Sequence, residues 1–199
     1  MLREGSRTAL ARINLAMERL ELLHALKDPV WGIRPRNREQ HYALDACLRD
    51  DIQLVTLVGK AGTGKTLLAL AAGLQKVTDD EVYQKLLVSR PVMPMGRDIG
   101  FLPGDVEDKL KPYMQPIHDN VDLLMGLSNT HKDKRRGRGI AELVGMGIIE
   151  VEPLTYIRGR SLPHQYMIID EAQNLTPHEV KTIITRAGDG TKIVLTGDP

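Results

Sequence analysis

At 199 residues, with 42% hydrophobic and 27% charged side chains, the chain has the composition of one soluble globular domain with a sizeable core. Twenty-seven Lys and Arg against 26 Asp and Glu leave a formal charge of +1, so no global field draws the chain to nucleic acid or membrane, and any such partner must meet a local patch. The single cysteine, Cys47, excludes an internal disulfide and a cysteine zinc site, and no stretch approaches the roughly 20 apolar residues of a membrane span, so a cytoplasmic setting without membrane insertion is expected. Residues 1–35 form an N-terminal segment of their own, carrying Arg and Glu among scattered Leu and Ala before Pro29, Gly32 and Pro35. Propensity alone makes much of it helical, whereas "TALARINL" and "RLELLHAL" also read as two short strands, so a linker, a hairpin and a helical segment all stay open.

From residue 36 to 199 the pattern is that of an α/β domain. A helical period runs through Ala43, Leu44 and Cys47, and "QLVTLVG" is a continuous apolar strand. Four more strand candidates follow, "KLLVSR", "GIIEVEP", "YMIID" and "KIVLTG". Near-continuous apolar runs separated by helical segments indicate a mostly parallel sheet covered on both faces, a doubly wound α/β fold. After the second strand, Val106, Leu110, Met114, Ile117, Val121 and Leu124 keep a helical spacing that Pro112 and Pro116 interrupt, which predicts a kinked or broken helix. "SNTHKDKRRGRG" is a basic, poorly patterned loop.

"GKAGTGKT", Gly59 to Thr66, fits G-x-x-x-x-G-K-[ST] and lies between a strand and a helix, the context in which the pattern means a phosphate-binding loop. Gly59, Gly62 and Gly64 let the backbone of Lys60, Ala61 and Thr63 wrap a phosphate chain with its amides inward. Lys65 would reach the β- and γ-phosphates, and the Thr66 hydroxyl would bind magnesium. Downstream, "MIIDEAQN" delivers two adjacent carboxylates from the end of an apolar strand. Asp170 is expected as a second magnesium contact, usually through water, and Glu171 as the general base for the attacking water. This makes the domain a P-loop NTPase with Mg²⁺ as cofactor.

"VTLVGKAGTGKTLLALAAGL", "SRPVMPMGRDIGFLPGD", "YIRGRSLPHQYMIIDEAQN" and "TGDP", in this order, resemble the PhoH family of ATPases, and "WGIRPRNREQHYALD" is similar to members in which a PIN nuclease domain precedes the ATPase. The PhoH core is similar to the first motor domain of superfamily-one helicases. That resemblance implies ATP as the nucleotide, with Asn37 and Gln40 of "RNREQ" matching an adenine-reading motif in which a Gln amide pairs with the N6 and N7 edge. It implies that Gln173 links the γ-phosphate site to a strand-binding surface, and that Asp198 of "TGDP" belongs to a Gly-Asp motif whose partner Gln would lie beyond Pro199, as in a chain cut at its C-terminus. Arg158 or Arg160 of "RGR" would contact phosphate or the next subunit of a homo-oligomeric ring, a hexamer among its closures.

Single-stranded RNA and a PIN nuclease domain in the intact chain are the partners implied. The output would be RNA remodelling or unwinding; the rival readings are a non-motor ATP-binding stress-response regulator and an ATP-stabilised oligomeric scaffold. Strand contacts are expected first from "SRPVMPMGRDIGF", with Arg90, Arg97 and Phe101. The loop bearing Lys132, Lys134, Arg135, Arg136 and Arg138 is read as a solvated charge run. The six histidines show no metal-ligand spacing with one another or with Cys47.

Overall fold

A computed structural model describes residues 2–4, 7–14, 17–23, 28–91, 106–128, 140–157 and 159–199. In chain order these form β1 (Leu2–Glu4), β2 (Arg7–Ala9), β3 (Ala11–Asn14), β4 (Arg19–Leu22), α1 (Arg38–Leu48), β5 (Leu54–Val58), α2 (Lys65–Leu74), β6 (Lys85–Arg90), α3 (Val106–Ser128), α4 (Ile140–Gly145), β7 (Ile149–Pro153), β8 (Gln165–Ile169), α5 (Pro177–Ile184) and β9 (Lys192–Gly197).

Five strands make the main sheet in the order β5-β9-β8-β6-β7, every neighbouring pair parallel. Alternation along each strand divides the core. Leu86, Val88, Tyr166, Ile168 and Val194 pack on one face with α1, α2 and α3. Leu87, Met167, Ile169 and Ile193 pack on the other with Ile183 of α5 and the turn holding Leu154 and Ile157. The fold is the doubly wound α/β layer the apolar runs predicted, and every strand that they marked is present.

Helix α2 is buried continuously from Leu68 to Leu74, and fully burying each leucine contributes about 1.5–3 kcal/mol. Helix α1 begins at an Asn37 cap, whose side chain accepts from the Gln40 amide. Its C-terminal end is tied to the sheet by Lys192, which is fully buried at the start of β9. The Lys192 ammonium donates to the carbonyls of Ala46 at 3.0 Å, Arg49 at 2.7 Å and Ile52 at 2.5 Å.

Two expectations for individual elements are settled by packing. The described N-terminal residues hold four short strands and no helix, with β1 pairing β2 and β3 pairing β4, both antiparallel. Arg12 and Glu21 turn toward α1, where Arg12 reaches Asp45 and the Tyr42 hydroxyl donates to Ala11 O at 2.8 Å. Ile13, Leu20 and Leu22 point outward and are exposed. Helix α3, expected kinked or broken, is one element that runs through both Pro112 and Pro116. Burial of Met114, Ile117, Val121 and Leu124 on a single face offsets the lost backbone bonds, and the Asn120 side chain donates to Pro116 O at 2.8 Å. Among the described residues no helix is long and apolar enough to cross a membrane.

Candidate nucleotide site

Parallel pairing aligns the carboxyl ends of the strands, the edge where ligands bind in open α/β sheets. Val58 pairs with Gly197, Ile169 with Leu195 and Ser89 with Ile169. The loop after β5, the carboxylates after β8, Asp198 after β9 and Arg90 at the end of β6 therefore meet at one rim. Strand β9 separates β5 from β8 and supplies the bridge between them.

The phosphate loop turns through Gly62 at φ 76° and Gly64 at φ 86°, and Gly64 starts α2 from a left-handed conformation that a side chain at this position would strain. Lys65 donates to Gly59 O at 2.6 Å, Lys60 O at 3.0 Å and Asp198 Oδ1 at 2.8 Å. The Thr66 hydroxyl donates to Asp170 Oδ1 at 2.7 Å, and the Thr196 hydroxyl of β9 donates to the same oxygen at 2.7 Å. Asp170 is buried, and its backbone N–H donates to Ser89 O at 2.9 Å. A polar cavity of about 300 Å³ opens here, with Gly62, Lys65, Thr66, Asp170, Glu171 and Asp198 in its wall.

Glu171 takes a left-handed conformation, φ 53° and ψ 40°, that redirects the chain as β8 ends. One of its carboxylate oxygens lies 3.2 Å from Arg90. The other accepts from Gln173 Nε2 at 2.5 Å, while Gln173 Oε1 accepts from the Asp198 N–H at 3.1 Å. Gly197 keeps this crossing open, since a Cβ there would come within 2.8 Å of Gln173 Oε1.

Gln40 touches the phosphate loop itself: its Nε2 donates to Thr63 O at 3.1 Å and its Oε1 accepts from Arg36 N–H at 2.8 Å. A second, more apolar cavity of about 600 Å³ runs from Asn37, Gln40 and Tyr42 past Val55 and Leu57 to Lys65. The two cavities share Lys65, so a ligand with a polar and an apolar part can span both.

Arg160 does not line either cavity. Its guanidinium bonds Glu150 at 3.2 Å and Glu152 at 2.6 Å on β7. Burial and the neighbouring Glu150 carboxylate push Glu152 up to about 7. Burial works to raise Glu150 as well, but hydrogen bonds from Lys85 and Arg160 outweigh it and hold that carboxyl at about 2. Arg158, Arg97, Phe101 and the basic residues 132–138 lie outside the described residues. Three participants escaped the motif reading. Thr196, which steadies Asp170, is a polar residue at the end of the apolar strand before "GDP" and could have been suspected. Asn120, in the wall of the phosphate cavity, belongs to no local pattern. Arg90 stood out only as part of a strand-binding loop, and its pairing with Glu171 depends on the order of β6 and β8 in the sheet.

Comparison with known proteins agrees with this architecture. The family described as PhoH-like protein matches residues 32–199. Protein PhoH2 of Bacillus subtilis (strain 168) is 61% identical over 170 residues, covering 85% of this chain and 37% of the relative. Protein PhoH2 of Mycolicibacterium smegmatis is 39% identical over 195 residues, covering 98% and 42%, and a PhoH-like protein of Bacillus subtilis is 39% identical over 167 residues, covering 84% and 48%. The chain thus spans less than half the length of each of these relatives. A phosphate loop at the carboxyl rim of a doubly wound sheet, together with a family match across most of the chain, supports a nucleotide-binding ATPase: the chain belongs to the PhoH-like protein family.

Proposed function

We propose that this chain binds Mg-ATP across the two cavities and hydrolyses it, coupling turnover to the remodelling or unwinding of single-stranded RNA. The observation that carries the reading is the 2.7 Å bond from Thr66 to Asp170. It joins the phosphate loop to a carboxylate strand 104 residues away in a single polar cavity that also holds Lys65 and Glu171. In this reading the loop amides and Lys65 grip the phosphates, and Glu171 takes a proton from the attacking water. The adenine occupies the apolar cavity near Gln40, with Asn37 holding the start of α1.

Magnesium fits the donor set. The Thr66 hydroxyl and Asp170 carboxylate are hard oxygen ligands in mutual contact. Among the described residues no three His, Cys, Asp or Glu side chains converge into a metal cage, which suits an ion completed by substrate phosphates and water. When bound, it would supply neutralisation of the phosphate charge. Thr66 and Asp170 would hold it, and Thr196 keeps Asp170 aimed.

The RNA substrate, a PIN ribonuclease domain in the intact protein, a homo-oligomeric ring and a cytoplasmic setting complete the proposal. RNA and the PIN domain rest on the resemblance carried by "WGIRPRNREQHYALD" and "SRPVMPMGRDIGFLPGD", the ring on "RGR" and the cytoplasmic setting on the single cysteine. With residues 36–199 as the ATPase domain and residues 1–35 as its N-terminal appendage, the domain division belongs to the same proposal. Steady-state ATP hydrolysis, measured with and without single-stranded RNA, tests the reading: stimulation that disappears in Glu171→Gln supports a nucleic-acid motor. Turnover indifferent to RNA removes the motor and leaves an ATPase, while no turnover with or without RNA contradicts the hydrolytic reading.

A further inference from the structure

A general base must turn a carboxylate lone pair toward the attacking water. In Glu171 both oxygens are turned toward donors of the same chain, Oε1 to Arg90 at 3.2 Å and Oε2 to Gln173 at 2.5 Å. Gln173 is in turn tied to Asp198, and Asp198 to Lys65 at 2.8 Å. A continuous series of polar contacts therefore joins Arg90 on β6 to the phosphate-gripping lysine, with Glu171 held in the middle.

Arg90 is the member of the series with capacity left over. It is the last residue of β6, at the carboxyl rim, and remains 22% exposed. Among the described residues its NH1 makes one long contact, 3.4 Å, to Tyr113 O. A guanidinium presents five donors in a planar fork that matches a phosphodiester in a bidentate manner, and such a partner outcompetes a single carboxylate oxygen held at 3.2 Å.

We propose that Arg90 is a positioning residue that restrains Glu171, and that a phosphodiester of a bound single strand takes over the guanidinium and frees the carboxylate for the attacking water. The proposal rests on the reading of Glu171 as general base and names how that base is regulated. Hydrolysis is then slow until the strand is present, because the residue that recognises the strand is the one holding the base. Release at the Arg90 end loosens Gln173 and Asp198 as well, so strand engagement also reaches Lys65.

The test measures kcat and KM for ATP in the wild-type chain, Arg90→Met and Arg90→Lys, each with and without a single-stranded oligouridylate, and repeats each in a Glu171→Gln background. Arg90→Met is expected to raise unstimulated kcat by about threefold, the scale of one partly exposed ion pair, while leaving KM unchanged and abolishing stimulation by the oligouridylate. Arg90→Lys, which keeps the charge without the fork, should retain the low unstimulated rate and part of the stimulation. A fall in kcat in Arg90→Met, or an unchanged rate with stimulation intact, overturns the restraint. So does stimulation of the wild-type chain by polyglutamate and not by oligouridylate, since the ligand would then be an acidic protein. Binding of a non-hydrolysable ATP analogue, followed by calorimetry, shows that each variant is folded. If Glu171→Gln retains turnover, the general-base reading fails; if it abolishes turnover in every background while Arg90→Met behaves as wild type, the restraint alone fails.

Discussion

Lys65 has three oxygen acceptors within 3.0 Å, two of them carbonyls of its own loop and the third Asp198. The carbonyls fold the side chain back along the loop, so that its charge sits where phosphates would lie, and Asp198 competes for that charge. Two opposite predictions follow from the same contact. Lys65→Ala should weaken ATP binding by roughly tenfold or more, the effect of losing a charge-assisted hydrogen bond of about 1.5–3 kcal/mol; unchanged affinity by calorimetry would contradict it. Asp198→Asn removes a competing anion and should tighten binding of ATP without magnesium by a few fold, on the scale of about 1 kcal/mol for a partly exposed pair. On the proposed role of Glu171 as general base, Glu171→Gln should preserve nucleotide binding and lower turnover at least about a hundredfold. Single-turnover kinetics would separate the two effects.

Among the elements, β9 does more than fill the sheet. It lies between the phosphate-loop strand and the carboxylate strand, and Thr196 lets it hold the same Asp170 oxygen that Thr66 reaches. Thr196→Val, close in shape, should leave the strand folded yet impair magnesium-dependent turnover more than magnesium-independent nucleotide binding; equal losses in both would refute a role in aiming Asp170. The short α5 illustrates local control. Thr176 accepts from Glu179 N–H at 3.3 Å, and Glu179 accepts from Thr176 N–H at 2.9 Å, with Pro177 opening the helix. Thr176→Ala should cost about 1 kcal/mol in denaturant unfolding with no change in nucleotide affinity, because neither Thr176 nor any residue of α5 lines either cavity.

For the whole molecule, Lys192 anchors the sheet to α1. Burial lowers its ammonium to about 8 from the ordinary 10.5. The unfolded chain therefore binds this proton more tightly than the native one, and stability rises as pH goes from about 8 toward 10.5. Burial also raises the Cys47 thiol to about 11 from 9.0, which acts in the opposite direction above pH 9, as the unfolded thiol ionises first. The clear window is thus pH 8 to 9. There the wild-type unfolding free energy should climb by up to about 1.4 kcal/mol per pH unit, a slope that Lys192→Met should lose in urea titrations. The same variant leaves the partly buried carbonyls of Ala46, Arg49 and Ile52 short of a donor and should be destabilised by roughly 1–3 kcal/mol overall.

Much of this protein is determined locally and can be read before folding. Short apolar runs such as "LLVS" and "YMII", bounded by polar residues, specify parallel strands, because among strands those of a sheet covered on both faces bury consecutive residues. Glycines at 62 and 64 specify a loop whose backbone needs left-handed conformations, and the spacing of Lys65 and Thr66 after them fits a phosphate-binding motif. The N-terminal segment was ambiguous because its alternation is short, and it became a hairpin only through contacts of Arg12 and Ala11 with α1. Helix α3 persists through its prolines because an apolar face, not its backbone bonds, holds it in place. Sequence alone could name Asp170 and Glu171 but not their neighbours: Thr196 and Arg90 meet them because strand order places β9 and β6 on either side of β8, and Asn120 joins the same cavity from α3. Lys192 and Arg160 were equally illegible, since a charge pattern does not say whether a cation faces solvent, phosphate or a buried carbonyl. That choice is made by distance in three dimensions, and the tertiary structure alone supplies it.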